Sequence, residues 1–178
     1  KNNYWHWFFD VLPRIAILEK SGYKKKINYY LLPSISKKYQ VNSFVNLNIS
    51  NKKLLNGNQF KHIKCENLLA VDHPTVLNNN PSSSITNIPN WIILWLRKKY
   101  IKKNKKRLNL PKRIFIDREK DSILKNRKII NNAEVKKSLQ EHGFKSITLA
   151  KFDFIKQVEI FRNANFIVGL HGAGFANL

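Results

Sequence analysis

Phe166-Ile167-Val168-Gly169-Leu170-His171-Gly172-Ala173-Gly174-Phe175-Ala176-Asn177 decides how the rest of the chain is read. It opens as a short apolar run with β-branched residues, the pattern of a buried parallel strand, and then breaks into small residues around one histidine. That is a strand opening into a turn. In α/β sheets such a turn lies at the carboxyl end of a strand, where ligands bind, and a helix following it would offer free backbone N–H groups to an anion such as a nucleotide diphosphate. A lone Gly-X-Gly is also the mark of a tight structural turn with an exposed histidine. The residues upstream weigh between the two.

Working back from Phe166, the pattern is regular as far as Lys112. Arg113 to Asp117 predicts a strand, Ala133 to His142 a helix with Val135 and Leu139 inward and Gly143 as its C-cap, and Ser146 to Leu149 a strand. Phe154 to Ala164 predicts a helix with Ile155, Val158 and Phe161 inward, and Phe166 to Gly169 the last strand. This β-α-β-α-β order is a Rossmann-like half sheet of the α/β class, with parallel strands and right-handed crossovers. Arg118 leaves the first strand and His171 the last, so both belong to the same carboxyl edge. Arg127 and Asn131 lie in the loop from that edge into the first helix, with Asn131 or Asn132 as its N-cap. An edge carrying Arg118, Arg127 and a helix N-terminus after Gly172 suits a doubly charged leaving group. Ordinary surface arginines are the alternative.

At the other end, Tyr4 to Leu18 is apolar nearly all round, as in a buried helix. Against that background His6, Asp10 and Arg14 recur every four residues and form one polar stripe. Pro13 either kinks this helix or marks a first turn. The stripe is a satisfied local network tying the helix to its neighbours, or a general base lining a cleft, with His6 held and polarised by Asp10. Ile27 to Leu32 and Ser43 to Ile49 read as strands, and a third apolar run, Asn67 to Val71, ends at Asp72-His73-Pro74. An Asx-type turn explains Asp72 and His73 as well as a cleft does.

Asn78 to Asn90, rich in Asn, Ser and Pro, reads as a loop or a crossing between domains. Trp91 to Arg107 reads as one helix with an apolar front and a basic tail, ended before Pro111. It is either a linker helix with solvated lysines or a helix lying on an anionic membrane surface. The expected division is 1–90, 91–111 as the basic linker helix, and 112–178.

The chain of 178 residues carries a formal charge of +22 with a pI near 10.2. The lysines are dispersed among abundant Asn and Ile, which reads as a compositional bias more than a binding patch. Cys65 is the single cysteine, so no internal disulfide forms, and His62 and Cys65 have no second pair at zinc spacing. There is no Asp-X-Asp to clamp a magnesium-bound diphosphate. The chain begins at Lys1 and lacks methionine, and the helix expected behind Gly174 has barely begun at Leu178. The expectation is a piece of a longer protein, with any targeting signal or anchor outside it.

Taken together, Asn3-Tyr4-Trp5-His6-Trp7-Phe8-Phe9-Asp10 through Leu12-Pro13-Arg14, Ile114-Phe115-Ile116-Asp117-Arg118, Arg127 to Val135, Gln157 with Phe161 and Ala164, and Gly169-Leu170-His171-Gly172-Ala173-Gly174 with Asn177 resemble glycosyltransferase family 61. That family includes bacterial capsular polysaccharide biosynthesis proteins and eukaryotic N-acetylglucosamine and xylose transferases. The resemblance implies a GT-B architecture of two Rossmann-like domains facing a cleft, the second incomplete at the C-terminus of this chain. It implies inversion at the anomeric carbon, no metal, a nucleotide-sugar co-substrate with a UDP-sugar foremost, and a glycan or lipid-linked glycan acceptor. Residues 1–90 would then be the acceptor side and 112–178 the donor side. Carried over, Arg118, Arg127, Asn131, His171, Gly172, Ala173, Gly174 and Asn177 would bind donor, His6 and Asp10 would be catalytic, and Arg14 would face the acceptor cleft. The family often has Asn-Glu after the second arginine, whereas this chain has Asn131-Asn132 with the next acid at Glu134. The expected location is the cytoplasm, with peripheral contact at the inner face of a bacterial membrane left open. The readings from other classes are a basic module for nucleic acid or membrane surface, and a catalytically inactive relative.

Overall fold

A computed structural model describes residues 3–75, 87–101, 109–118 and 129–177, and the chain divides into two compact units, Lys1–Tyr100 and Ile101–Leu178. In the first, α1 (Tyr4–His6) runs through one π-helical turn (Trp7–Val11) into α2 (Pro13–Lys20). Asn3 starts it, its Oδ1 accepting the N–H groups of Trp5 at 2.9 Å and His6 at 3.4 Å. Proline causes the π turn: Pro13 has no N–H, and its ring would collide with the carbonyl four residues earlier. The chain therefore widens before it, and the Leu12 N–H reaches back to the Trp7 carbonyl at 3.0 Å. Pro13 then occupies the first position of α2, where a missing donor costs nothing.

β1 (Tyr30–Leu32) pairs in parallel with β2 (Leu54–Asn56), and α3 (Lys38–Val45) makes the crossover. The strand expected over Ser43 to Ile49 is instead the end of α3 and the turn after it. Gln40 explains the difference. Its buried Oε1 accepts the N–H groups of Ser36 and Lys37, both at 2.9 Å, which fixes the helix start, and α3 then carries Phe44 fully into the core beside Trp7 and Tyr30. Burial overrides the local β preference. Asn67 to Val71 forms no regular element, and Leu68 within it is 84 % exposed.

α4 (Asn90–Tyr100) is shorter than Trp91 to Arg107, and the basic run Lys102 to Arg107 lies outside the described residues. It packs on α2, where the Trp95 indole and the Lys99 ammonium converge on Glu19 with Lys24 at 3.1, 2.9 and 2.7 Å, and Tyr100 donates its hydroxyl proton to the Ser43 carbonyl of α3 at 2.9 Å. Burial alone would push the Glu19 carboxyl up, but hydrogen bonds from Lys24, Lys99 and Trp95 outweigh it and hold the group at about 2 against an ordinary 4.5. The folded state thus keeps this charge to lower pH than the unfolded chain. Its contribution is complete above about 4.5 and drains away as pH falls towards 2. Glu19→Gln is expected to cost about 1–2 kcal/mol at pH 7, after allowance for partial solvent screening. Thermal unfolding should show this deficit at pH 7 and a much smaller one at pH 3.

The second unit is a parallel three-stranded sheet in the order β4-β3-β5, built from β3 (Arg113–Ile116), α5 (Asn132–Glu141), β4 (Lys145–Ile147), α6 (Phe154–Asn163) and β5 (Phe166–Gly169). The register sets Ile114 against Ile167 and Ile116 against Gly169. Ile114, Ile116, Ile147, Leu149, Ile160 and Phe161 form the core, with Phe175 packed against it. Gly143, at φ 78°, ends α5 as expected, letting the Phe144 N–H return to the Leu139 carbonyl at 2.9 Å. β5 departs from the buried strand expected. Phe166 and Val168 stand 55 % and 40 % exposed because β5 pairs only with β3, and its outward face lacks a covering layer among the described residues.

Candidate active site

In the first unit His6 and Asp10 meet across the π turn, with Nδ1 2.6 Å from Oδ2. A carboxylate only accepts, so the proton of this bond sits on Nδ1, and in the neutral ring the lone pair is on Nε2. The pair borders a cavity of about 290 Å³ lined by His6, Trp7, Asp10, Val11, Pro33, Ser34 and Gln40. That wall is well supported: the Trp7 indole donates to Ser43 Oγ at 2.9 Å, and Gln40 Nε2 donates to the Ser34 carbonyl at 3.1 Å. A histidine held by a carboxylate beside a cavity is chemically able to take a proton from a hydroxyl. Arg14, the third member of the stripe, has a different part. Its Nε donates to the Asp10 carbonyl at 3.1 Å and its Nη1 to the Val71 carbonyl at 2.6 Å, strapping the segment before His73 onto the helix. The contact between His6 and Asp10 follows from the spacing of the stripe, whereas Pro33 and Ser34 reach the cavity from the β1–α3 connection and Gln40 from the first turn of α3, with no local signal.

In the second unit the order β4-β3-β5 means that the chain leaves β3 first to one side and later to the other. The carboxyl ends of β3 and β5 therefore flank a topological switch point, the usual crevice for ligands in such sheets. Arg118 and His171 meet there, Arg118 Nη1 donating to the His171 carbonyl at 3.2 Å. Gly172 makes this possible, since a Cβ on it would fall on the Arg118 guanidinium. After it comes a 3-10 turn, Ala173–Asn177, and the helix expected behind Gly174 lies outside the described residues. At this edge the Arg118 guanidinium brings a full positive charge. Beneath it, Asp117 is buried and paired with Lys136 of α5 at 2.6 Å, a neutralised pair the sequence reading passed over.

A sequence profile of the family Glycosyltransferase 61 matches residues 4–178. The chain belongs to the glycosyltransferase 61 family. Membership makes it a glycosyltransferase, working on a sugar donor and an acceptor, and the match takes in both clusters. No curated protein and no solved structure matches the chain.

Two further residues expected to bind donor in this family member, Asn131 and Asn177, make contacts of their own. Asn131 stands at the N-cap position of α5, yet its side chain donates to the Glu134 carboxylate at 3.1 Å and does not cap the helix. Asn177 donates to Gln157 Oε1 and to the Gly174 carbonyl, both at 3.1 Å, while Gln157 Nε2 holds the Leu149 and Phe152 carbonyls at 3.0 Å. Asn177 thus braces the turn against α6. Arg127 lies outside the described residues. Among the described residues no group of three or more His, Cys, Asp or Glu side chains is arranged to hold a metal ion, and no helix is long and apolar enough to cross a membrane.

Proposed function

We propose that the chain is part of an inverting, metal-independent GT-B glycosyltransferase that moves a sugar from a nucleotide donor, foremost a UDP-sugar, to a glycan acceptor in surface polysaccharide synthesis. The observation that carries this reading is the His6–Asp10 pair at the wall of the 290 Å³ cavity. His6 Nε2 takes the proton of the acceptor hydroxyl as its oxygen attacks the anomeric carbon, and the bond to the diphosphate breaks on the opposite face. Asp10 steadies the imidazolium that forms. On the donor side, Arg118 meets the charge that develops on the leaving phosphate, with the His171-Gly172 turn shaping its seat.

The test is a thermal-shift measurement with UDP, GDP and CMP at low and moderate salt. UDP at a hundredfold excess over its Kd is expected to stabilise by about 2.7 kcal/mol. That shift should survive added salt, because a built pocket engages few phosphates. A response to all three nucleotides that collapses with salt would mean counterion release from a diffuse basic surface. Together with an equal response to RNA, it would overturn the transferase reading.

A further inference from the structure

Asp10 has a second histidine beside it. His73 approaches from the irregular segment after β2, with Nε2 3.8 Å from Oδ1, while His6 takes Oδ2 at 2.6 Å. The far side of the His73 ring is fixed as well. Nδ1 lies 2.8 Å from the Thr75 hydroxyl, 3.3 Å from its N–H and 3.2 Å from its carbonyl. In the neutral ring with a bare Nδ1, the N–H and O–H of Thr75 both donate to it, and the ring proton sits on Nε2 facing the carboxylate. In the charged ring Nε2 again carries a proton. The remaining tautomer, its Nδ1–H donating to the Thr75 hydroxyl or carbonyl, would turn a lone pair onto Asp10. The segment is itself anchored, since Arg14 holds the Val71 carbonyl just before it. His6 and Arg14 from the helix and His73 from the segment are thus the basic groups at Asp10, and Arg14 meets its backbone carbonyl, not its carboxylate.

From this geometry we infer that His73 is a positioning residue for the base. Its Nε2–H holds Oδ1, so that Asp10 keeps Oδ2 on His6 Nδ1 and His6 keeps its Nε2 lone pair for the acceptor hydroxyl. The inference rests on the reading of His6 as the base. At 3.8 Å the hold is electrostatic, not a direct hydrogen bond, and it strengthens when the ring is charged. A carboxylate tied by one N–H turns readily about its terminal torsion, whereas one held at both oxygens does not. Thr75 holds the far edge of the ring, and the Asp10 carboxylate, which can only accept, favours the ring proton on Nε2.

Imidazole ¹⁵N NMR on the whole chain tests it. The native protein is expected to show His73 protonated at Nε2 and His6 at Nδ1. In His73→Leu the ratio of His6 Nδ1–H to Nε2–H should fall at least threefold. In His73→Gln, whose amide N–H reaches the same oxygen, it should return close to native. Unchanged signals from His62, His142 and His171 report that the fold is kept. A native His73 with its proton on Nδ1 alone, a His6 ratio indifferent to His73→Leu, or a Gln variant no better than Leu would each overturn the inference. The assignment of His6 as base is judged apart, by UDP release from UDP-N-acetylglucosamine in His6→Ala. Turnover unaffected there would remove the base while leaving the His73–Asp10–His6 hold intact.

Discussion

His6→Ala is expected to lower kcat roughly 10²- to 10⁴-fold, the usual worth of a positioned general base, and to leave donor affinity near native. The split follows from where the residue stands. His6 lies in the first unit with its Nδ1 on Asp10 and its side chain 44 % exposed at the cavity wall, so truncation removes a proton acceptor without disturbing a buried core residue. Steady-state kinetics with separate measurement of UDP affinity checks both halves. Turnover within threefold of native would move the base elsewhere, with Asp10 next to test. Asp10→Asn should give a smaller loss, because the amide oxygen still accepts from Nδ1 but no longer offsets the charge of the imidazolium. If Asp10→Asn lost more than His6→Ala, the carboxylate itself would be the base and His6 its orienting partner.

The two units differ in how far the sequence disclosed them, and the reason is the range of the interactions that build each. β3 to β5 are set by local periodicity: helix and strand patterns alternate cleanly between Arg113 and Gly169, and Gly143 marks its helix end by conformation alone. The strand read into Ser43 to Ile49 failed because what decides that stretch is not local. Gln40 caps the start of α3 through Ser36 and Lys37, and Phe44 is drawn into a ring cluster with Trp7 and Tyr30 from other elements. Asn67 to Val71 misled in the opposite sense. It is apolar, yet what ties it down is an arginine on a backbone carbonyl, and Leu68 stays in solvent. The site follows the same rule. His6 and Asp10 lie one helical turn apart and were visible as a stripe, whereas the approach of His73 to Asp10 depends on the path of a distant segment, which Arg14 also touches at the Val71 carbonyl. In the second unit the shared edge of Arg118 and His171 was legible from strand order. The 3-10 geometry of the turn was not: Phe175 packs against the core and its N–H returns to the Gly172 carbonyl at 3.0 Å.

Gly172→Ala should mimic Arg118→Ala, and that equivalence is the sharpest check on the donor side. The methyl group would fall on the Arg118 guanidinium, the far end of a flexible side chain, so the arginine swings away and the fold loses little. What is lost is the place of the charge. Each variant is expected to lower kcat/KM roughly 10²- to 10³-fold, as for removal of one group that meets charge developing in the transition state. The double variant should be hardly worse than either alone, since both remove the same interaction. Gly169→Ala supplies the contrast. Its methyl group would meet the Ile116 Cβ at 2.9 Å and the Ile116 carbonyl oxygen at 3.3 Å, atoms of a buried strand that cannot step aside. Overpacking of that kind costs about 1–3 kcal/mol, so Gly169→Ala should lower the unfolding midpoint where Gly172→Ala does not. Gly172→Ala with native UDP affinity and native kcat/KM would show that the arginine does not act from the position it holds against His171. A double variant whose losses simply multiply would show that Gly172 and Arg118 serve the donor separately, with the backbone of the turn binding phosphate on its own account.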